Sequence, residues 1–143
     1  MADITQTAAN VAISGSTCPT KRVQFGEAVV QGQPVYLSTV DSKWYKCDAN
    51  DTLAKAACAG IVLTPAAING YGLIATPSVT AGISLVNLGA TLAIGTQYAV
   101  STTLGGVAPL SDIASTQFPT SIGFATTTAL LDFQVTICSV AKA

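Results

Sequence analysis

The stretch GEAVVQGQPVYLST, residues 26–39, decides how this chain is read, because its outline returns as GATLAIGTQYAVST, residues 89–102. At a constant offset of 63, Gly26 falls on Gly89, Gly32 on Gly95, Ser38 on Ser101 and Thr39 on Thr102. Further along, Gly60 falls on Gly123, Thr64 on Thr127 and Ala66 on Ala129. Apolar positions follow the same offset: Val29 with Leu92, Leu37 with Val100, Ile61 with Phe124. Seven identities over 41 positions is a thin count in a chain rich in small residues. The spacing carries the reading, since three glycines keep register without a gap. Glycine is required where φ is positive or backbones approach closely, so repeated glycines imply repeated backbone geometry. Two related β units, about 26–66 and 89–129, are therefore expected. A unit of two or three strands cannot bury its apolar face alone, so the halves must pack on each other.

Outward from this stretch the signals are mostly β. PVYLST (34–39) and KWYKC (43–47) flank VDS as a hairpin, and QYAVST (97–102) runs into the Gly105–Gly106 turn. GIVLT (60–64), GLIAT (72–76) and ISLVNLG (83–89) lie between Gly, Pro and Asn punctuation. The last run, LLDFQVTICSV (130–140), alternates: Leu131, Phe133, Val135 and Ile137 on an inner face, Asp132, Gln134 and Thr136 on an outer one. NDTLAKAAC (50–58) is the one helical stretch, with Asp51 as its N-cap, and SDIAST (111–116) is a second, shorter turn. The fold expected is all-β with little helix: a compact antiparallel β-barrel or β-sandwich built from the two related units over residues 23–143. Residues 1–22 lack aromatics and periodicity, and read either as an extended arm that docks on a neighbour or as a disordered tail. As an arm, residues 1–20 would be dispensable for folding.

Composition narrows function by exclusion. Charged residues make up 9% of the chain, against about 25% in an ordinary soluble domain. No apolar run approaches the roughly 18 residues that a spanning helix needs, and the start MADITQTAANVAISGST lacks the basic and apolar regions of a secretory signal. A soluble protein made in the cytoplasm, without membrane association, is expected. From Ala56 to Ser111 there is no Asp, Glu, Lys or Arg. Soluble monomers mix charges over their surface to avoid association, so a long neutral stretch implies a surface that meets other protein, the alternative being a neutral surface of Thr, Ser, Asn and Gln. A net charge of −1, with no basic cluster beyond Lys21–Arg22, leaves no footprint for nucleic acid.

Catalytic groupings are equally thin. The chain has no histidine, which removes the commonest general base and every Ser-His-Asp or Cys-His arrangement. DAND (48–51) lacks the spaced ligands and distal Glu of an EF-hand and reads as a turn. Cys18, Cys47, Cys58 and Cys138 match no zinc spacing; buried reduced thiols are expected, with a disulfide left open. No catalytic residue, metal ligand or cofactor site is assigned, and the chain reads as a non-enzyme. The candidate interface residues are Ile4, Val11 and Ile13 in the arm, with Trp44, Tyr45 and Tyr71, aromatics being frequent anchors of protein contacts.

With these residues in view, the chain resembles the small head decoration proteins of tailed bacteriophages, also called capsid cement or head-fibre-type proteins. The resemblance covers about residues 24–140. It lies in the GEA and GQPVY opening, the DAND-to-AGI middle, and the NLGATLAIGTQYAVSTTLGGVAP second half. It implies a structural virion protein on the outer surface of the capsid, a homotrimer bridging and stabilising major capsid protein subunits. The alternative reading is a glycan- or receptor-binding module on a phage head or fibre.

Overall fold

β-Branched and aromatic residues gather in short runs between Gly, Pro and Asn turns, and each run becomes a strand. The computed structural model describes residues 3–138 and 140–143. The strands are β1 (Ala12–Ile13), β2 (Thr20–Gln24), β3 (Pro34–Leu37), β4 (Trp44–Lys46), β5 (Gly60–Val62), β6 (Tyr71–Ala75), β7 (Leu85–Asn87), β8 (Gln97–Val100), β9 (Val107–Pro109), β10 (Ser121–Ala125) and β11 (Leu130–Thr136). They form two antiparallel sheets, β1-β7-β11-β10-β8-β9 and β2-β6-β5-β3-β4. Neither sheet closes into a barrel, and the arrangement is sandwich-like. Among the described residues helix is confined to the single turn α1 (Leu53–Ala56) and to 3-10 turns at Ala8–Asn10 and Leu110–Asp112. Thr52, not Asp51, caps α1, its hydroxyl accepting from Lys55 N at 3.3 Å. Asp51 instead pairs with the Lys55 ammonium four residues on.

The offset of 63 holds in the hydrogen-bonded register. β3 pairs with β4 through Val35–Lys46, Tyr36–Tyr45 and Leu37–Trp44, and β8 with β9 through Tyr98–Pro109, Ala99–Ala108 and Val100–Val107. β3 meets β5 at Pro34–Ile61 and Val35–Gly60, and β8 meets β10 at Gln97–Phe124 and Tyr98–Gly123. The strand order β2-β6-β5-β3-β4 is thus repeated as β7-β11-β10-β8-β9. Gly32 and Gly95, at φ +88° and +79°, make the same turn into β3 and β8. Their N–H groups donate to the equivalent carbonyls of Val62 (2.9 Å) and Ala125 (2.8 Å).

The buried side chains repeat as well. One core cluster, inside the β2–β6 unit, holds Val23, Phe25, Val29, Val35, Trp44, Val62 and Ile74. Sixty-three residues on stand Val86, Leu88, Leu92, Tyr98, Val107 and Ala125; Leu131, opposite Ala125 as Ile74 is opposite Val62, completes the set. All of these lie in the second, larger cluster. That cluster also takes in Cys47, Cys58, Ile61 and Ala75 of the first unit, so it fills the joint between the sheets as well as the interior of the second unit. Burying each such side chain contributes on the order of 1.5–3 kcal/mol, which two separate small sheets could not collect.

The segment expected as an arm lies on the chain's own domain, and the boundary expected at residue 22 falls within β2. In the first unit the chain leaving β2 turns in, and Gly26 N donates to Trp44 O at 2.9 Å. In the second unit that place is filled by the N-terminal segment: Ile4 N donates at 2.9 Å to Val107 O, the counterpart of Trp44. Gly89 is held aside by Thr7, whose N–H donates to Gly89 O at 2.6 Å. A Cβ on Gly89 would stand 2.3 Å from Thr7 O, so only glycine allows this approach. Gln6 Nε2 spans both units, donating to Gly32 O at 3.1 Å and Leu88 O at 3.0 Å, and β1 extends the larger sheet along β7. Residues 3–13 therefore pack into the second unit's core and do not extend away from the domain.

On β11, Leu131 and Phe133 are buried as the alternation requires, but Ile137 lies beyond the strand's end and is half exposed. Asp132, expected outside, is buried. A bulge between Ser121 and Gly123 disturbs the pairing of β10 with β11, and Gly82 N donates to Asp132 Oδ2 at 3.0 Å from the loop folded over it.

Candidate binding surface

Apolar side chains on a charge-poor surface are the natural starting point, and the fold sorts the six candidates sharply. Trp44 is 7% exposed and belongs to the first unit's core, with the Lys21 ammonium 5.9 Å from its ring. Val11 is buried, and Ile4 and Ile13 pack partly buried against the larger cluster. Tyr45 is half-buried across from Tyr36, their ring centroids 6.1 Å apart. Its hydroxyl donates to Asp41 Oδ2 at 2.5 Å, and this bond holds the exposed Asp41 carboxyl below the usual range and pushes the phenol up. Tyr71 alone among the six is well exposed, at 57%, with the Arg22 guanidinium 4.8 Å over its ring. The candidates therefore do not converge on one patch. Four of them are occupied within the fold.

The outward apolar side chains are others. Val40 at the β3–β4 turn and Val79 in the loop after β6 are almost wholly exposed; Ile68, Ile94, Leu104, Phe124 and Leu37 are about half exposed or more. Composition did contain a signal for Val40, an apolar residue inside a turn that otherwise reads Asp-Ser-Lys. Phe124 was hidden, because its alternation places it on either face until the register with β11 is known. Charge is segregated along with them. Most charged residues lie between Lys21 and Lys55 on the first unit, and from Ala56 to Ser111 there is no Asp, Glu, Lys or Arg. Strands β5–β9 and their loops come from that neutral stretch and expose Ile68, Tyr71, Leu73, Val79, Ile94 and Leu104.

Two shallow depressions lie on the surface. One of about 550 Å³ is lined by Thr5, Thr7, Asn10, Asn87, Thr91 and their neighbours, where the N-terminal segment crosses the second unit. The other, about 350 Å³, runs between Pro77–Val79 and Gln134–Thr136. Both are lined by hydroxyl, amide and small apolar groups, which offer hydrogen bonds, with no carboxylate, amine or thiol among the lining side chains. Cys18, Cys47 and Cys58 are buried free thiols, whereas Cys138, also expected inside, is partly exposed; burial, together with the neighbouring Cys58 thiol, pushes Cys47 well above its usual range, and burial raises Cys18. Protonated at neutral pH, these thiols are poor nucleophiles. The DAND segment is a turn, Asp48 Oδ1 accepting from Asn50 N at 2.8 Å. Among the described residues no three His, Cys, Asp or Glu side chains are grouped to hold a metal ion, and no helix is long and apolar enough to cross a membrane. No family model matches the chain, and neither a curated protein nor a solved structure matches it.

Proposed function

We infer that this protein is a structural virion component that binds the outer surface of a phage capsid as a homotrimer, bridging and stabilising major capsid protein subunits without performing a reaction. The observation that carries this reading is the set of apolar side chains exposed on β5–β9 and their loops, all from a stretch of sequence without Asp, Glu, Lys or Arg. A surface of that kind is suited to being covered by protein. The doubly repeated, hydrogen-bonded β scaffold supports it, since cementing requires a rigid body presenting the same contact many times. Three copies of a modest contact gain by effective concentration, so no single site need be strong. The N-terminal segment enters as part of the rigid body, not as a flexible tether.

The glycan- or receptor-binding alternative requires an exposed aromatic platform. Trp44 is buried and Tyr45 is engaged by Asp41; Tyr71, with Arg22 over one face, and Phe124 are exposed but stand on strands of different sheets, so these rings do not line up as one platform. The two readings separate in one experiment. Purified protein is mixed with heads that lack it and, in parallel, with host cells and a glycan array. Sedimentation with heads and no retention on cells or glycans is the expected result; the reverse pattern overturns the capsid reading in favour of the other.

A further inference from the structure

In the larger sheet the outer edge of β7 is covered by the chain's own N-terminal segment. Ala12 and Ile13 pair with Asn87 and Val86, Ser14 N donates to Leu85 O at 2.8 Å, and Thr17 Oγ donates to Ile83 O at 3.1 Å. Sixty-three residues earlier, Ile83 and Leu85 become Thr20 and Arg22 on β2, an outer strand of the smaller sheet. β2 bonds β6 on one side: Pro19 O accepts from Thr76 N at 3.0 Å and Phe25 N donates to Gly70 O at 2.9 Å, in one register with Lys21 opposite Ile74 and Val23 opposite Gly72. Alternation then turns the backbone N–H and C=O of Thr20 and Arg22 the other way, away from β6. Among the described residues those four groups bond nothing, and Thr20, Lys21 and Arg22 are exposed. At Phe25 the edge is closed by a bridge to Trp44, so the open length is residues 20–23.

An edge that alternates donor and acceptor is matched by another peptide backbone, and that is how its counterpart on β7 is satisfied. Two cations set the side-chain chemistry. Lys21 lies 5.9 Å from the Trp44 ring and Arg22 4.8 Å from the Tyr71 ring, and among the described residues neither has a carboxylate partner. We propose that β2 is a docking edge for an extended acidic segment of another protein, which adds antiparallel along residues 20–23 and sets carboxylates against Arg22 and Lys21. A second copy does not fit this edge. Two β2 strands laid antiparallel would bring Lys21 and Arg22 against the same cations, and like charges facing across a strand pair repel. Cations on an edge do keep copies from joining there; what marks this edge is that the repeat covers its counterpart with a strand. The proposal goes beyond the capsid reading, since it assigns a contact and the partner's chemistry without requiring a capsid subunit to be that partner.

The free groups also set the register. Arg22 and the residue opposite it exchange both N–H···O bonds, so a carboxylate at that place lies on the face of Arg22. Its neighbour in the docked segment points to the other face, where Lys21 stands over Trp44. Two consecutive acids therefore answer two consecutive cations, and β-branched residues on either side hold the segment extended. The pairing is short, as β1 on β7 is at two residues. One copy thus makes a modest contact, which gains when copies are presented together. Because the paired charges are exposed, salt weakens the contact.

The test follows amide shifts and hydrogen exchange by NMR while the capped hexapeptide Thr-Val-Glu-Glu-Val-Thr is added to the full chain at up to millimolar concentration. Before peptide, the amides of Thr20 and Arg22 should exchange fast and those of Lys21 and Val23, bonded to β6, slowly. With peptide, shifts at residues 20–23 should saturate, and Thr20 and Arg22 should slow by about tenfold or more at saturation. The same peptide with Lys in place of both Glu is expected to bind about tenfold more weakly or less, two attractive pairs having become repulsive. The double variant Lys21→Glu with Arg22→Glu should reverse that preference; if it lowers the melting temperature, Lys21→Gln with Arg22→Gln takes its place and should bind both peptides alike. Equal binding of the two peptides by the native chain, shifts centred on another strand, or no change at Thr20 and Arg22 would overturn the proposal. Slow exchange of those two amides before peptide is added would overturn it in favour of edge-to-edge pairing of copies. Binding to heads is scored separately. Heads that capture the native protein while the acidic peptide leaves β2 unchanged sink this edge and leave the capsid reading standing. Peptide binding at β2 without capture by heads does the opposite.

Discussion

Gly32 and Gly95 occupy one backbone conformation in the two units but different surroundings, which makes them a controlled pair. Left-handed φ costs an L-residue about 1–2 kcal/mol, so Gly95→Ala, whose Cβ meets nothing within 4 Å, is expected to lose about that much. Gly32→Ala adds a collision 2.6 Å from Gln6 Nε2, the amide that bonds both units, and is expected to lose more. Urea denaturation checks the order; equal losses would mean that Gln6 contributes nothing. Cys47 gives the pH dependence. Its folded thiol is held well above the unfolded value of about 8.5, so its contribution is complete below that pH and declines as pH rises through and beyond it. With no histidine, the melting temperature should be nearly flat between about pH 6 and 8 and fall by pH 9.5. Cys47→Ala should flatten the alkaline fall while lowering stability throughout. At this scale the glycine spacing was legible because it reports backbone geometry directly. The burial of Asp132 was not, and for Trp44 covering the core and anchoring an interface were both open readings, since which face a strand residue takes depends on registers, bulges and covering loops formed far away in sequence.

Among the elements, the strand runs and both hairpins stand where alternation and turn residues place them, and the offset of 63 survives into the hydrogen-bond registers. The N-terminal segment was misread because its contacts carry no periodicity. It is held by single backbone bonds at Ile4 and Thr7, a side-chain amide at Gln6, and a two-residue strand, none of which imposes a pattern on residue types. The helix was overestimated for a related reason: LAKA has high intrinsic propensity, but one turn has no length to propagate. Removing residues 1–13 is expected to cost roughly 3 kcal/mol or more, since Val11 and the inner faces of Ile4 and Ile13 leave the core and Val107 O loses its donor. A truncated chain that keeps the native urea midpoint would restore the detachable arm.

The whole molecule is one β unit used twice, with the N-terminal segment completing the second copy and an asymmetric joint holding the pair. Its all-β class and its doubled organisation could be read from the chain, as could the neutral stretch. The location of the exposed apolar residues could not, because it follows from how the units pack. The capsid reading converts that surface into a countable result. Increasing amounts of the purified protein are added to heads that lack it, and the bound copies are counted per head while the temperature of head disruption is followed. Saturation at a fixed multiple of three per site, with disruption shifted upward in proportion to occupancy, is the result expected. Unsaturable or absent binding, or saturation that leaves the disruption temperature unchanged, would contradict a cementing role.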